Sequence, residues 1–236
     1  MKIAIIGYGK MGKTIEQIAK GQGHEIGLIV DQGDEWGIAD LEGIEVAIEF
    51  TRPEAAVENI KKCLEAGVAV VSGTTGWLAQ LEEVKGLCAA KEGAMVYASN
   101  YSIGVNLFFV LNEYLAELMN AHPAYRPSME EIHHTQKLDA PSGTAITLAE
   151  GILNKVNGLQ GWVTEAKEEG AELGIVSKRI DKVLGTHAIQ YQSSIDEIEI
   201  KHTAHSREGF AKGAVHAAEW VVGKKGFFSM RDVLGL

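Results

Sequence analysis

The first hundred residues alternate short apolar runs with amphipathic stretches. Residues 3–6 are an unbroken apolar run, and residues 25–31, 44–50, 68–72 and 94–98 repeat the pattern. Runs of this length between turn-forming residues predict buried strands. Between them, residues 13–20, 54–66 and 77–90 carry apolar side chains at helical spacing. In the second of these, Ala55, Ala56, Ile60 and Leu64 make one face, and Pro53 before it suits a first helical turn. Strands separated by helices predict parallel pairing through right-handed crossovers, hence a doubly wound α/β sheet.

Beyond residue 101 the pattern changes. Residues 103–119 read as one long apolar helix, 128–135 as a strand and 144–155 as a helix that follows a turn-rich piece. Residues 157–174 are polar and glycine-containing, and read as a loop. Three strand-like runs follow without intervening helices, at 175–180, 184–193 and 197–203, with a turn near Ser194, Ile195 and Asp196. Such an order predicts an antiparallel or mixed sheet. The expected organisation is an α/β domain over 1–101 and an α+β domain over 102–211. A helix at 209–222 is compatible with either.

Composition narrows the partners. The formal net charge of −10 opposes nucleic acid, and an anionic substrate would need a local positive site. Cys63 and Cys88 form no spaced pair and no disulfide framework. No run has the form of a secretion signal or is long enough to span a membrane, so a cytoplasmic protein without a membrane partner is expected.

The run Gly7-Tyr8-Gly9-Lys10-Met11-Gly12 follows the first strand and opens the first helix, the setting that G-x-G-x-x-G requires to bind a dinucleotide. The first glycine makes the turn, the second admits a pyrophosphate, and the third lets helix and strand pack. Asp31 ends the second strand about 20 residues on, where an acid accepts from ribose hydroxyls. Gln32, Gly33, Asp34 and Glu35 follow it, with no arginine for a 2′-phosphate, which favours NADH over NADPH. Gly73, Thr74 and Thr75 lie at a strand's carboxyl end, as do Ala98, Ser99, Asn100 and Tyr101. Both segments read equally as ligand loops or as ordinary turns, with Thr75 near a helix cap.

The densest chemistry lies in Glu131-Ile132-His133-His134-Thr135-Gln136-Lys137-Leu138-Asp139-Ala140-Pro141-Ser142-Gly143-Thr144. Consecutive strand residues point to opposite faces, so His133 and His134 are expected to play different parts. One fits a general acid and the other a ligand contact. Lys137 returns through the turn as a clamp or proton donor. Ser142, Gly143 and Thr144 offer hydroxyls and the start of a helix, a good carboxylate site. Ser142 as a plain N-cap and Asp139 as a turn residue are the simpler readings. His187, His202 and His205 are too sparse for a zinc motif, so no metal is expected.

The run from His133 to Ala145 resembles the signature of the dihydrodipicolinate reductase family. The resemblance extends over the chain through Gly7 to Gly12, Glu49-Phe50-Thr51-Arg52-Pro53, Gly73-Thr74-Thr75-Gly76, Ser99 to Asn106, Ser206-Arg207, Phe210-Ala211, Gly213-Ala214 and Met230-Arg231-Asp232-Val233-Leu234. It implies reduction of 4-hydroxy-tetrahydrodipicolinate by NADH or NADPH, toward diaminopimelate and lysine. It implies His133 as proton donor or acceptor and Lys137 as proton donor. His134 and the Gly143–Thr144 backbone would bind the dicarboxylate, and Gly7–Gly12, Gly73–Thr75 and Ala98–Tyr101 would contact the cofactor. It also implies a homotetramer formed by the second domain's sheets, and a last helix that returns to the first domain, which residues 212–236 complete. A dehydrogenase for an amino acid such as aspartate, or an NAD(H) sensor, are the alternatives. A sensor has no use for Lys137.

Overall fold

The computed structural model describes residues 1–167 and 169–236. The chain divides into two compact units, Met1–Ile103 with Glu208–Leu236, and Gly104–Arg207. It runs through β1 (Lys2–Ile6), α1 (Lys10–Gly21), β2 (Glu25–Val30), β3 (Val46–Glu49), α2 (Pro53–Glu65), β4 (Ala69–Ser72), α3 (Leu81–Ala90) and β5 (Ala94–Tyr97). Next come α4 (Ile103–Met119), β6 (Arg126–His133), α5 (Gly143–Leu153), β7 (Gly161–Val163), β8 (Glu172–Arg179), β9 (Gly185–Gln192) and β10 (Glu197–Ala204). The chain ends in α6 (Glu208–Val221), β11 (Gly226–Phe228) and α7 (Met230–Leu234).

In the first unit six strands pair in the order β11-β5-β4-β3-β1-β2, all parallel. Both faces are covered, which is why the strands read as continuous apolar runs. Ile3, Ile5, Val46, Ile48, Val71 and Val96 join residues of α1 and α6 in one core. Ala4, Ile6, Ala47, Val70 and Met95 join α2 and α3 in the other. The strand order reverses between β1 and β3, so their carboxyl ends, at Gly7 and Phe50, flank the crevice where sheets of this kind hold ligands.

The second unit holds a mixed sheet, β10-β9-β6-β8-β7. β8 runs parallel to β6 and β7, while β9 pairs antiparallel with β6 and β10. β6 buries Pro127, Met129, Glu131 and His133 and leaves the alternate residues half-buried. Met129 packs with Phe108 of α4 and Leu148 of α5. Two polar residues, Glu131 and His133, thus point toward the packed face, where only a satisfied network can hold them.

The parallel sheet and the mixed sheet are as the pattern predicts, but some elements differ. β7 and the first residues of β8 fall in the stretch expected to be loop, and β11 and α7 are additional. β7 and β11 have three residues each, too few for alternation to register. The helix expected over 77–90 is a 3₁₀ turn at Leu78–Gln80 followed by α3. Trp77 is held outside it, its indole N–H donating to the Thr74 carbonyl at 2.7 Å. Helix α1 begins at Lys10, inside the glycine run. No helix among the described residues is long and apolar enough to cross a membrane.

Candidate active site

The glycine run forms a tight β1–α1 turn. Gly7 has φ +97°, the left-handed region that glycine tolerates, and an added Cβ would lie 2.1 Å from the Phe50 carbonyl oxygen. Gly12 is restricted by approach, since its Cβ would meet the Gly7 oxygen at 2.2 Å. Gly9 is the N-cap of α1, with open space around it, no side-chain cap and no acid in the first turn. The first turn therefore offers backbone N–H groups to an anion, an arrangement that fits a pyrophosphate. Substituting Gly12 by alanine should force α1 off β1 at a cost of about 1–3 kcal/mol. A fluorescence titration should then show dinucleotide affinity weakened roughly tenfold or more. Unchanged affinity would remove this turn from the binding site.

Tyr8, Asp31, Gln32, Trp36 and Arg52 line the cleft beside Gly7 and Gly9. Asp31 stands at the end of β2, and its carboxylate accepts from the Gln32 N–H at 2.8 Å. The Asp34 carboxylate accepts from the Asp31 N–H at 2.7 Å, so two acids share this rim. Lys10 is exposed, and Met11 lines a second hollow with Phe50, Gly73, Thr74 and Thr75. Thr75 begins no helix, so the capping alternative does not apply.

Other predicted contacts face inward. The Thr74 hydroxyl donates to Glu49 at 2.7 Å and accepts from the Thr51 N–H at 2.8 Å. The buried Glu49 also accepts from the Ser72 hydroxyl at 2.6 Å, tying the ends of β3 and β4 together. Tyr101 is 1% exposed, and its hydroxyl lies 2.8 Å from the Ser72 carbonyl and 3.1 Å from that of Val96. It thus pins the ends of β4 and β5 from beneath. Ser99 is exposed, Ala98 is half-buried, and the Asn100 side chain accepts from the Ser102 N–H at 2.9 Å.

In the second unit, strand register assembles the polar cluster. β6 pairs Glu131 with His187 of β9, and Glu131 and His133 with Ser177 and Arg179 of β8. Glu131 is fully buried. Its carboxylate accepts from the Ser177 hydroxyl at 2.8 Å and the Ser142 N–H at 3.1 Å, and meets the Arg179 guanidinium at 3.4 Å. Burial alone would raise its pKa. Contacts with His133, His187, Ser142 and Ser177 outweigh burial and hold the carboxyl well below the usual carboxylate range. His133 Nε2 lies 3.3 Å from Glu131 Oε2 and 3.3 Å from His187 Nε2, while its Nδ1 faces the Leu184 carbonyl at 3.3 Å. Burial depresses the pKa of His187, against the pull of Glu131.

The loop from His134 to Ser142 is clamped by the same group. Arg179 donates to the Asp139 carbonyl at 2.6 Å and the Lys137 carbonyl at 3.3 Å. The Lys137 ammonium lies 2.8 Å from both Asp139 carboxylate oxygens. His134 follows the end of β6, and its Nδ1 is buried with no hydrogen-bond partner among the described residues. Ser142 is the α5 N-cap: its hydroxyl accepts from the Ala145 N–H at 3.2 Å and lies 3.2 Å from His187 Nε2. The simpler reading of Ser142 therefore holds. Its side chain lies beneath the loop, and only Gly143 and Thr144 present the helix start outward.

Lys137, His134, Gly143 and Thr144 thus share one loop and helix start, and His133 ends the strand that leads into it. Sequence reasoning gave no part to Glu49, Glu131 or Arg179, and weighed His187 only as a metal ligand. Among the described residues, Glu131, His133 and His187 also converge as three potential metal ligands. The Arg179 guanidinium, 3.4 Å from the same carboxylate, sets a fixed positive charge beside them that opposes a dication.

Residues 1–101 match the family model for the N-terminus of dihydrodipicolinate reductase, and residues 104–234 match the one for its C-terminus. The chain belongs to the dihydrodipicolinate reductase family. A curated 4-hydroxy-tetrahydrodipicolinate reductase from Christiangramia forsetii is 50% identical, covering 99% of this chain and 98% of that protein. Another from Methanoregula boonei is 35% identical, covering 100% and 98%. A solved structure, described as dipicolinate-bound dihydrodipicolinate reductase from Paenisporosarcina sp. TG-14, shares the fold. Its TM-score is 0.78 at 24% identity, with 97% of each chain covered. The reductase family is one of oxidoreductases, and its N-terminal domain takes a nicotinamide cofactor.

Proposed function

We propose that this chain reduces 4-hydroxy-tetrahydrodipicolinate to tetrahydrodipicolinate, on the route to diaminopimelate and lysine, in the cytoplasm. The observation that carries the reading is the loop from His134 to Thr144. It offers a dicarboxylate an ammonium at Lys137, an unpartnered buried nitrogen at His134 and the start of α5, in a chain whose net charge is −10. Binding there is carboxylate recognition by local positive groups.

The bound nicotinamide supplies hydride. Gly7 to Gly12 hold its pyrophosphate, and Asp31 accepts from the adenosine ribose. Ala98, Ser99 and the Gly73–Thr75 loop contact the remainder, and Thr74, Asn100 and Tyr101 keep those strand ends in place. Lys137 Nζ leaves Asp139 for a substrate carboxylate and donates a proton as negative charge develops. His133 exchanges the balancing proton, the 4-hydroxyl leaves as water, and each turnover takes up one hydride and one proton. NADH is the favoured cofactor, because the Asp31 and Asp34 carboxylates repel a 2′-phosphate. The outer face of the second sheet, with Glu130, Lys178, Gln190 and Ser128, is proposed as the contact of a homotetramer.

The test is coupled turnover, with substrate formed in place from pyruvate and aspartate semialdehyde by the preceding synthase. Cofactor absorbance is followed with NADH and NADPH in parallel, on protein whose mass is read by light scattering. Oxidation that depends on the synthase, faster with NADH, is expected from a tetramer. Folded protein that binds NADH but oxidises neither cofactor would sink the assignment, and faster NADPH oxidation would refute the role given to Asp31.

A further inference from the structure

We propose that His187 and Glu131 are positioning residues that act through His133, fixing its ring and holding on it the single proton that it exchanges during turnover. This rests on the reductase reading and goes beyond it, because neither residue belongs to the loop that meets substrate.

The Leu184 carbonyl can only accept, so the 3.3 Å contact makes His133 Nδ1 a donor. The proton that comes and goes is therefore on Nε2. That atom faces two groups, His187 Nε2 and Glu131 Oε2, each at 3.3 Å. Two imidazole nitrogens at this distance need one proton between them. The rings meet edge to face, with centroids 5.1 Å apart and an interplanar angle of 68°. Ser142 Oγ, 3.2 Å from His187 Nε2, fixes the second ring from the α5 side.

The charges around the pair assign the proton. Glu131 supplies the negative charge that stabilises one imidazolium, and the Arg179 guanidinium on the far side of the carboxylate opposes a second. Lys137 adds positive charge from the loop. On the β10 side His187 pairs in register with His202, and His205 lies beyond it. His187 is 5% exposed, and burial disfavours its charged form. In this arrangement His187 Nε2 is the acceptor for His133 Nε2–H at 3.3 Å. When His133 gives that proton up during turnover the cluster loses one positive charge, and a proton taken from solvent restores it, with Glu131 and His187 left in place to hold it on Nε2.

The experiment compares wild type, His187→Leu and His187→Gln as full-length protein, in the coupled assay across pH. Leucine fills the space without a polar atom, and glutamine restores a hydrogen-bonding group. His187→Leu is expected to lower kcat at least about tenfold, part of the roughly 10²–10⁴ that a positioned proton donor contributes. KM should stay within about twofold, since Lys137 and α5 remain. The pH profile of kcat should change as well, and His187→Gln should recover most of both effects. An unchanged kcat, or a loss of kcat with an unmoved pH profile and no recovery in His187→Gln, would overturn the proposal. Wild type that does not turn over would overturn the reductase reading and this one together, whereas an active wild type with a normal His187→Leu overturns this one alone. Should His187→Leu fail to fold, ¹⁵N-histidine spectra of wild type decide: Nε2 resonances of His133 and His187 that titrate together support the shared proton, and independent titrations refute it.

Discussion

Lys137→Ala is expected to lower kcat by about 10²–10⁴-fold, the usual contribution of a positioned proton donor, while NADH still binds. The cofactor turn is built wholly within the first unit, from Gly7 to Gly12 and Asp31, so nothing that shapes it is touched. KM should rise as well, because the role proposed for the ammonium is both clamp and donor. Its present partner makes the ligand role concrete. Asp139 is 58% exposed at its side chain and holds Nζ with both carboxylate oxygens, much as a substrate carboxylate would. Steady-state kinetics with a parallel NADH titration separate the outcomes. Loss of turnover with intact cofactor binding rejects an NAD(H) sensor, and retained turnover removes Lys137 from the mechanism.

The second large effect concerns stability. Glu131→Leu should destabilise the second unit by about 3–5 kcal/mol, the range for removing one partner of a buried ion pair. Arg179 would lose its counter-charge, and the Ser142 N–H and Ser177 hydroxyl would lose their acceptor. The pH dependence has a definite sign. The carboxyl is held below its ordinary range, so its contribution is present above the unfolded pKa near about 4.3. That contribution is lost as the pH falls toward the depressed folded value. Wild type should therefore weaken on acidification below about pH 4 more steeply than the variant. Trp162, the one tryptophan between residues 104 and 207, reports the unit's unfolding in urea. Equal midpoints, or parallel acid profiles, would show that Glu131 contributes no net stability.

Why Glu131 escaped the sequence and Lys137 did not is a matter of range. The strands of the first unit announce themselves because both faces are buried, so every residue from Ile3 to Ile6 is apolar. The glycine run is legible because a turn and a close approach each demand glycine locally. The His133–Thr144 stretch carries its chemistry within a few residues. The partners of Glu131 are 46 and 48 residues away at Ser177 and Arg179, and the His133–His187 contact spans 54. Only strand register brings them together, and no local periodicity encodes register. Alternation along β6 did hold one usable signal, since Met129, Glu131 and His133 share a parity and so a face. A carboxylate and a histidine in phase with a core methionine imply a buried polar cluster. Tyr101 and Thr74, read from the sequence as cofactor contacts, have a second part that the sequence did not show: their hydroxyls tie strand ends together.

The position of β11 has a bearing on how the chain is made. It is the edge strand beside β5, and it belongs with α6 and α7 to Glu208–Leu236, which follow the whole second unit in the chain. On the ribosome, β1 to β5 emerge first, yet their sheet is complete only after the whole second unit has been translated. Until then β5 presents unpaired backbone groups, and the face of Val71 and Val96 lacks α6. The second unit, by contrast, is contiguous from Gly104 to Arg207 and can fold as soon as it clears the exit tunnel. A nascent chain released before β11 would therefore carry a finished second unit and an open, sticky first unit, and truncation within Glu208–Leu236 would be as damaging as truncation far upstream.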